Sequence, residues 1–271
     1  MSEPEASANP EAAGVDEHGK MSFFDHLTEL RNRIVWSLIP SAIGLGISLY
    51  FTTSVMKFLT RDLKTELVFT TPTEAFWTYM KVAMIMGLFI AMPIILWNVW
   101  AFVAPGLHKH ERKYAAPFVI IGSFLFILGG AFALLVVIPF AVQFLINFGV
   151  EKGAQPMISI ASYTDFILKF TLAFGLVFEM PVVITLLSML GVVTPQFLSK
   201  NRKYAILINF IIAAVLTPTP DAINQSLMAG PLIILYEVGI IAAMLFGKAR
   251  PAEDNPAPET AEMHSESDPR P

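Results

Sequence analysis

The feature that most constrains this chain is a series of long apolar segments that carry almost no charge. Composition agrees, since 55% of the residues are hydrophobic, only 15% are charged, and the mean hydropathy is +0.61. Such values are typical of polytopic membrane proteins. A bilayer leaves no water for unpaired backbone groups, so we predict an all-α fold of six transmembrane helices. The six segments are 34–51, 76–103, 114–140, 163–190, 204–216 and 222–246.

Proline interrupts the second, third, fourth and sixth of these segments. A helical bundle tolerates such breaks because neighbouring helices and water satisfy the freed backbone groups. We predict that Gly230-Pro231 breaks the sixth segment and leaves only 232–246 uninterrupted. The prolines concerned are Pro93, Pro117, Pro139, Pro181 and Pro231.

The fifth segment, 204–216, is too short to cross a bilayer as an ordinary helix. Its 13 residues reach about 20 Å, whereas the hydrocarbon core is about 30 Å thick. One interpretation is a re-entrant hairpin, or a helix that polar residues extend. The other is a pair of short helices that thin the bilayer locally. The residues alone leave both open.

The two ends of the chain are acidic, whereas the part between them is basic. Residues 1–19 hold five acids and no Lys or Arg, and residues 251–271 hold six acids against one base. The part between has 17 bases and 11 acids. We therefore predict disordered tails at 1–20 and 248–271 around a membrane domain at 21–247.

The distribution of Lys and Arg over the loops predicts how the chain is oriented in the membrane. Clusters of bases precede the first segment and follow the second, fourth and sixth, whereas the opposite loops hold few or are diluted by acids. The positive-inside rule then puts both termini in the cytoplasm. No cleavable signal precedes the first segment, so we expect that span to remain in the mature protein.

An amphipathic helix is predicted at Ser22–Arg33, running directly into the first span. Ser22 and Asp25 form a capping box. Glu29 has an ordinary explanation as an i,i+4 partner of Arg33. Two acids at the cytoplasmic edge of the membrane domain, Glu29 and Glu111, could instead accept guanidinium groups from a basic ligand. We call them the rim acids. Taken singly, each acid is explained without a ligand, because Glu111 also suits the first turn of a helix.

Two further acids fall within apolar segments, where ionisable residues face a bundle interior or a wet cavity. Glu179 precedes Pro181 in the fourth segment, and Glu237 lies in the sixth. They define a rival function, a proton-coupled secondary transporter. His108 and His110 are too few ligands to predict a metal. Without cysteine or a credible nucleophile and base pair, neither an enzyme nor a cofactor is expected.

Five motifs, in order over about residues 21–247, resemble the TatC family, the multi-span receptor of the twin-arginine protein translocase. They are Phe24-x-His26-Leu27-x-Glu29-Leu30-Arg31-x-Arg33, Trp97-x-x-Trp100-Ala101-Phe102-x-Ala104-Pro105-Gly106-Leu107, His110-Glu111-Arg112-Lys113, Ala173-Phe174-Gly175-x-x-Phe178-Glu179-x-Pro181 and Leu216-Thr217-Pro218-Thr219-Pro220-Asp221.

The resemblance implies a cupped, glove-like bundle in a bacterial cell membrane. It also implies that the protein binds twin-arginine signal peptides of folded cargo and is driven by the proton-motive force. No Walker motif is found. Single-span TatA/TatB-type subunits and further copies of the chain are the implied partners. The implied residues are Glu29, Glu111, Arg31 and Phe102 for the signal peptide, Glu179 in the concavity, Thr217 and Gln225 for partner docking, and Asp221 and Pro105 as further functional positions.

Overall fold

The computed structural model describes residues 23–61, 63, 67–107, 112–216 and 222–247, without the side chains of 23–25, 223, 224 and 227. The predicted tails lie outside these ranges, so the domain boundaries stay predictions. The helices are α1 Phe23–Thr60, α2 Glu74–Val103, α3 Ala115–Phe132, α4 Ile138–Glu151, α5 Ile160–Phe178, α6 Met180–Met189, α7 Pro195–Lys200, α8 Arg202–Leu216 and α9 Ala222–Phe246. A π-helical segment, Ala133–Val137, joins α3 to α4, and 3₁₀ turns occupy Ala104–Gly106 and Arg112–Tyr114.

Six helical spans cross the molecule, as predicted. Five helical stretches of the described chain are long and apolar enough to cross a membrane, and α8 is the short sixth. With 15 residues, α8 reaches about 22 Å. By contrast, α1 has 38 residues and extends about 57 Å, well beyond the predicted 34–51. The amphipathic segment and the first span are thus one continuous helix.

Proline has different effects in different spans. The prediction of a break at Gly230-Pro231 was wrong, because α9 continues through both residues. Packing of α9 against α6 and α8 supports the helix across the missing backbone hydrogen bond. The fourth span does break: α5 ends at Phe178 and α6 restarts at Met180, with Pro181 in its first turn.

The described helices pack as a row in which successive principal pairings share a helix. The most extensive pairings are α1 with α2, α2 with α3, α3 with α5, α6 with α9 and α9 with α8. At the α1–α2 crossing, an ideal Cβ on Gly44 would lie 2.5 Å from the Gly87 carbonyl oxygen. Only glycine permits that approach. We call the end that carries Phe23 the proximal end, and the opposite end the distal end.

A small structure caps the distal end, and the sequence did not predict it. Strands β1 (Leu67–Val68) and β2 (Ile158–Ser159) pair in parallel and join the α1–α2 loop to the α4–α5 loop. Glu74, the first residue of α2, holds the same two loops. Its carboxylate accepts hydrogen bonds from the Ser159 hydroxyl, from the Ala161 amide at 3.0 Å and from the Thr70 amide at 2.6 Å.

Candidate functional site

Aromatic stacking joins the start of α1 to the end of α2 at the proximal end. The rings of His26 and Phe102 stack with centroids 4.3 Å apart. Phe102 is held in place because Trp100, two residues earlier, is buried with Leu107 in a cluster that includes Leu186 and Met189. Pro105 lies in the 3₁₀ turn that follows and is exposed. The first two motifs of the sequence therefore meet in space.

Glu29 lies one helical turn beyond His26 on α1. Its Oε1 accepts a hydrogen bond from Nη2 of Arg33 at 3.3 Å, which confirms the predicted ion pair. Its Oε2 is buried and has no hydrogen-bond partner among the described residues. A carboxylate with one weak partner and one unpaired oxygen retains the capacity to accept a further donor. Arg31, two residues further along, is exposed.

The second rim acid cannot be placed. Glu111 lies outside the described residues, as do His108 and His110, so its proximity to Glu29 stays a prediction. The capping box is also outside them, because it depends on Ser22 and on the Asp25 side chain. The neighbouring turn is described, and its Arg112 and Lys113 are exposed bases.

Glu179 lies at the break between α5 and α6 and is buried, with 6% of its surface exposed. Neither carboxylate oxygen has a hydrogen-bond partner within the described ranges. Gly122 of α3 lies directly opposite, and an ideal Cβ there would be 3.1 Å from Oε2 of Glu179. The absence of a side chain on α3 thus leaves room beside the acid.

Glu237 does not form a pair with Glu179. It forms a bidentate ion pair with Arg202 at the start of α8, with Nε to Oε1 at 2.7 Å and Nη2 to Oε2 at 2.8 Å. The carboxylate of Glu237 is therefore paired with the guanidinium of Arg202, whereas that of Glu179 has no hydrogen-bond partner among the described residues. Within the described residues the two acids therefore do not form the pair that a proton relay between them would need.

Polar residues lie at the α8–α9 hairpin, where we predict that partner subunits dock. Gln225 donates from Nε2 to the carbonyl of Phe210 at 3.1 Å, across the two helices. Thr217 and Asp221 lie outside the described residues. Asn209 was missed: it is 3% exposed and its Nδ2 is unpaired in the described structure. The sequence could have indicated Asn209, because it is the lone polar residue in the apolar run 205–216.

A second ion pair was also missed. Nζ of Lys81 on α2 lies 2.8 Å from both carboxylate oxygens of Asp165 on α5. Both side chains are in the distal half of spanning helices, where an exposed charge needs a partner or a hydrated surface. No local pattern could reveal this pair, because its members are 84 residues apart.

Comparison with known proteins decides the family. The family model described as "Sec-independent protein translocase protein (TatC)" matches residues 25–231. The chain belongs to the TatC family. The TatC protein of Carboxydothermus hydrogenoformans is 47% identical over 226 residues, which cover 82% of this chain and 93% of that protein. The TatC protein of Desulforapulum autotrophicum is 40% identical over 256 residues, or 92% and 94% of the two chains.

Comparison with solved structures supports the same family. A crystal structure of a twin arginine translocase receptor, TatC in DDM, is similar, with a TM-score of 0.70 and 39% identity, over 83% of this chain and all of that one. TatC membership confirms the resemblance drawn from the five motifs and, with it, the all-α, six-span fold. The protein is a multi-pass membrane protein and a TatC-type translocase component.

Proposed function

We propose that this TatC-family chain is the receptor of the twin-arginine translocation system. It binds signal peptides of folded cargo through their paired arginines, at the proximal end. The observation that carries the proposal is the buried Oε2 of Glu29, which has no hydrogen-bond partner among the described residues and lies one helical turn along α1 from His26 of the His26–Phe102 stack. The relatives and solved structures named above support it, because they bear the names translocase and receptor.

The binding step is an exchange of partners on Glu29. An incoming guanidinium donates two parallel N–H groups to the carboxylate, whereas Arg33 supplies a single contact at 3.3 Å. The bidentate geometry favours arginine over lysine, whose ammonium cannot match the fork. Glu111 would accept the second arginine of the pair, and exposed Arg31 would help to orient the peptide.

The apolar part of the signal peptide and the partner subunits contact other parts of the bundle. The apolar stretch of the signal peptide extends toward Glu179 in the concave face. Single-span TatA/TatB-type subunits dock against the α8–α9 hairpin near Gln225 and Thr217, and further copies of the chain join the complex. The proximal end is cytoplasmic in a bacterial cell membrane, as the distribution of bases predicts. The short α8 supports local thinning of the bilayer, and the proton-motive force drives export.

The test compares binding of twin-Arg and twin-Lys peptides to the full chain in nanodiscs. Loss of a charge-assisted hydrogen bond predicts that Glu29→Gln weakens twin-Arg binding by about tenfold or more, with little change for twin-Lys. Glu151→Gln, which removes an exposed acid at the distal end, is the matched control and should bind normally. Unchanged twin-Arg binding by Glu29→Gln, or equal weakening by both variants, overturns the proposal.

A further inference from the structure

The end of α9 lies beside an exposed lysine at the proximal end of the bundle. The ring of Phe246, the last residue of α9, meets the ring of Tyr114 edge-on, with centroids 5.7 Å apart. The ammonium of Lys113 lies 5.2 Å from the centroid of the same Tyr114 ring. The segment that follows Gly247 therefore begins close to Lys113.

Packing against α6 fixes the point at which this segment leaves the bundle. The amide of Gly247 donates to the Ala243 carbonyl at 2.7 Å, so helical hydrogen bonding continues to the end of α9. An ideal Cβ on Gly247 would collide with the hydroxyl of Ser188 on α6. The backbone at the exit is thus held by α6, one residue beyond the ring contact of Phe246 with Tyr114.

Two further lysines lie where α7 meets α8, and α7 also packs against α9. The Tyr236 hydroxyl donates to the Leu198 carbonyl at 3.0 Å, which attaches α7 to α9 about 15 Å before α9 ends. Lys200 and Lys203 are exposed there. We call Lys113, Lys200 and Lys203 the proximal lysines.

The proximal lysines have no anionic partner within the described residues. Two of them hold the ammonium over the ring of the tyrosine that follows, at 5.2 and 5.1 Å, which leaves N–H donors for an anion. The third, Lys200, forms no ion pair or ring contact in the described structure. The acids whose side chains are described at this end, Glu29 and Glu237, are each paired with an arginine already.

The chain beyond the exit has the opposite charge. Residues 251–271 hold six acids and one base. The first acid, Glu253, follows Gly247 by six residues, which reach up to about 20 Å when extended. That reach is sufficient for a carboxylate to meet Lys113, and later acids can reach the lysines of α7 and α8. A tether of this length gives an effective concentration of about millimolar, so weak exposed ion pairs are sufficient for docking.

We propose that the acidic segment 251–271 docks on the proximal lysines of its own chain. The three ammonium groups donate hydrogen bonds to its carboxylates. An anionic bilayer surface repels an acidic segment, whereas the proximal lysines attract it. Docking neutralises positive charge that this end presents to a cationic signal peptide, a consequence that rests on the proposed function.

The experiment is disulfide cross-linking in the full chain, which has no cysteine of its own. Ala116→Cys, at an exposed position one turn beyond Lys113, is combined with Ala261→Cys beside Glu262 of the acidic segment. The protein is held in nanodiscs of phosphatidylcholine and phosphatidylglycerol. No signal peptide is present, so the result does not depend on the proposed function.

The cross-link should form rapidly at low salt and slowly at high salt, which screens exposed ion pairs. Replacing the three proximal lysines by glutamine should slow it about two- to tenfold, because up to three such pairs are lost. Replacing three segment acids, Glu259, Glu262 and Glu266, by glutamine should slow it similarly. The matched control replaces three exposed lysines of the distal half and should leave the rate unchanged: Lys57→Gln, Lys152→Gln and Lys169→Gln.

Four results overturn the proposal. The first is an equal rate in the proximal and distal lysine variants, and the second is a rate that does not depend on salt. The third is loss of the cross-link when phosphatidylglycerol is added to phosphatidylcholine nanodiscs, which would show that lipid head groups occupy the lysines. The fourth is a disulfide that forms only between two copies, seen as a dimer on a non-reducing gel, which would assign the segment to a neighbouring chain.

Discussion

The close approach of α1 and α2 gives a prediction with an internal control. Gly44 and Gly46 are on the same helix, yet an ideal Cβ on Gly44 would lie 2.5 Å from the Gly87 carbonyl oxygen, whereas one on Gly46 meets nothing within 4 Å. Gly44→Ala must therefore push the two backbones apart, because neither contacting group is a flexible side chain. Gly46→Ala adds a methyl group in open space.

The magnitude follows from two terms. Replacing Gly by Ala inside a helix stabilises it by about 1 kcal/mol. Forcing an extra methyl group into a packed contact costs about 1–3 kcal/mol. The gain in helix propensity is common to both variants. The difference between their free energies of unfolding therefore gives the cost of the close contact alone. We expect Gly46→Ala to raise the free energy of unfolding by up to about 1 kcal/mol, and Gly44→Ala to fall about 1–3 kcal/mol below it.

The assay is equilibrium unfolding of the full chain in mixed micelles with increasing SDS, followed by tryptophan fluorescence. Gly87→Ala tests the same contact from the other helix, and should resemble Gly44→Ala. The double variant should cost less than the sum of the two single variants, because they relieve the same contact. Equal stability of Gly44→Ala and Gly46→Ala would refute the reasoning.

Three further predictions concern polar contacts. Glu74→Ala should open the distal cap, seen as faster hydrogen exchange at the Ala161 amide with proximal amides unchanged; unaltered exchange would contradict the clamp. A double-mutant cycle of Arg202→Gln and Glu237→Gln should give a coupling of only about 0.2–1 kcal/mol, since both side chains are partly exposed; a coupling well above that range would contradict screening of the pair by solvent. Arg33→Gln should tighten twin-Arg peptide binding by about 1.5–2-fold, because it removes a competing i,i+4 pair, and weaker binding would show that Arg33 assists the peptide instead.

Hydropathy and local spacing could predict the spans and the nearest contacts. The six segments follow from predominantly apolar runs, and the pairing of Glu29 with Arg33 follows from an i,i+4 spacing. Hydropathy underestimated α1 because its ends leave the apolar layer while the backbone continues as a helix. It also gave no means of deciding whether Pro231 would end a helix, since neighbouring helices determine that outcome.

Contacts between distant segments could not be predicted. The partner of Glu237 is 35 residues away, and that of Lys81 is 84 residues away, so no local pattern relates them. In the candidate site, too, local features could be predicted and contacts between distant segments could not. The sequence indicated which residues carry charge or aromatic rings at the proximal end, whereas the stacking of His26 on Phe102 depends on how α1 and α2 pack.

The distal cap has a consequence for the order in which the chain can be completed during synthesis. β1 pairs Leu67 with Ile158, about 90 residues later. At about 5–20 residues per second, the ribosome adds that interval in roughly 5–20 seconds. During this time the first helical hairpin can be inserted, but Glu74 lacks its donors from Ser159 and Ala161. Closure of the first hairpin therefore awaits the start of α5, so insertion and final closure are separate events.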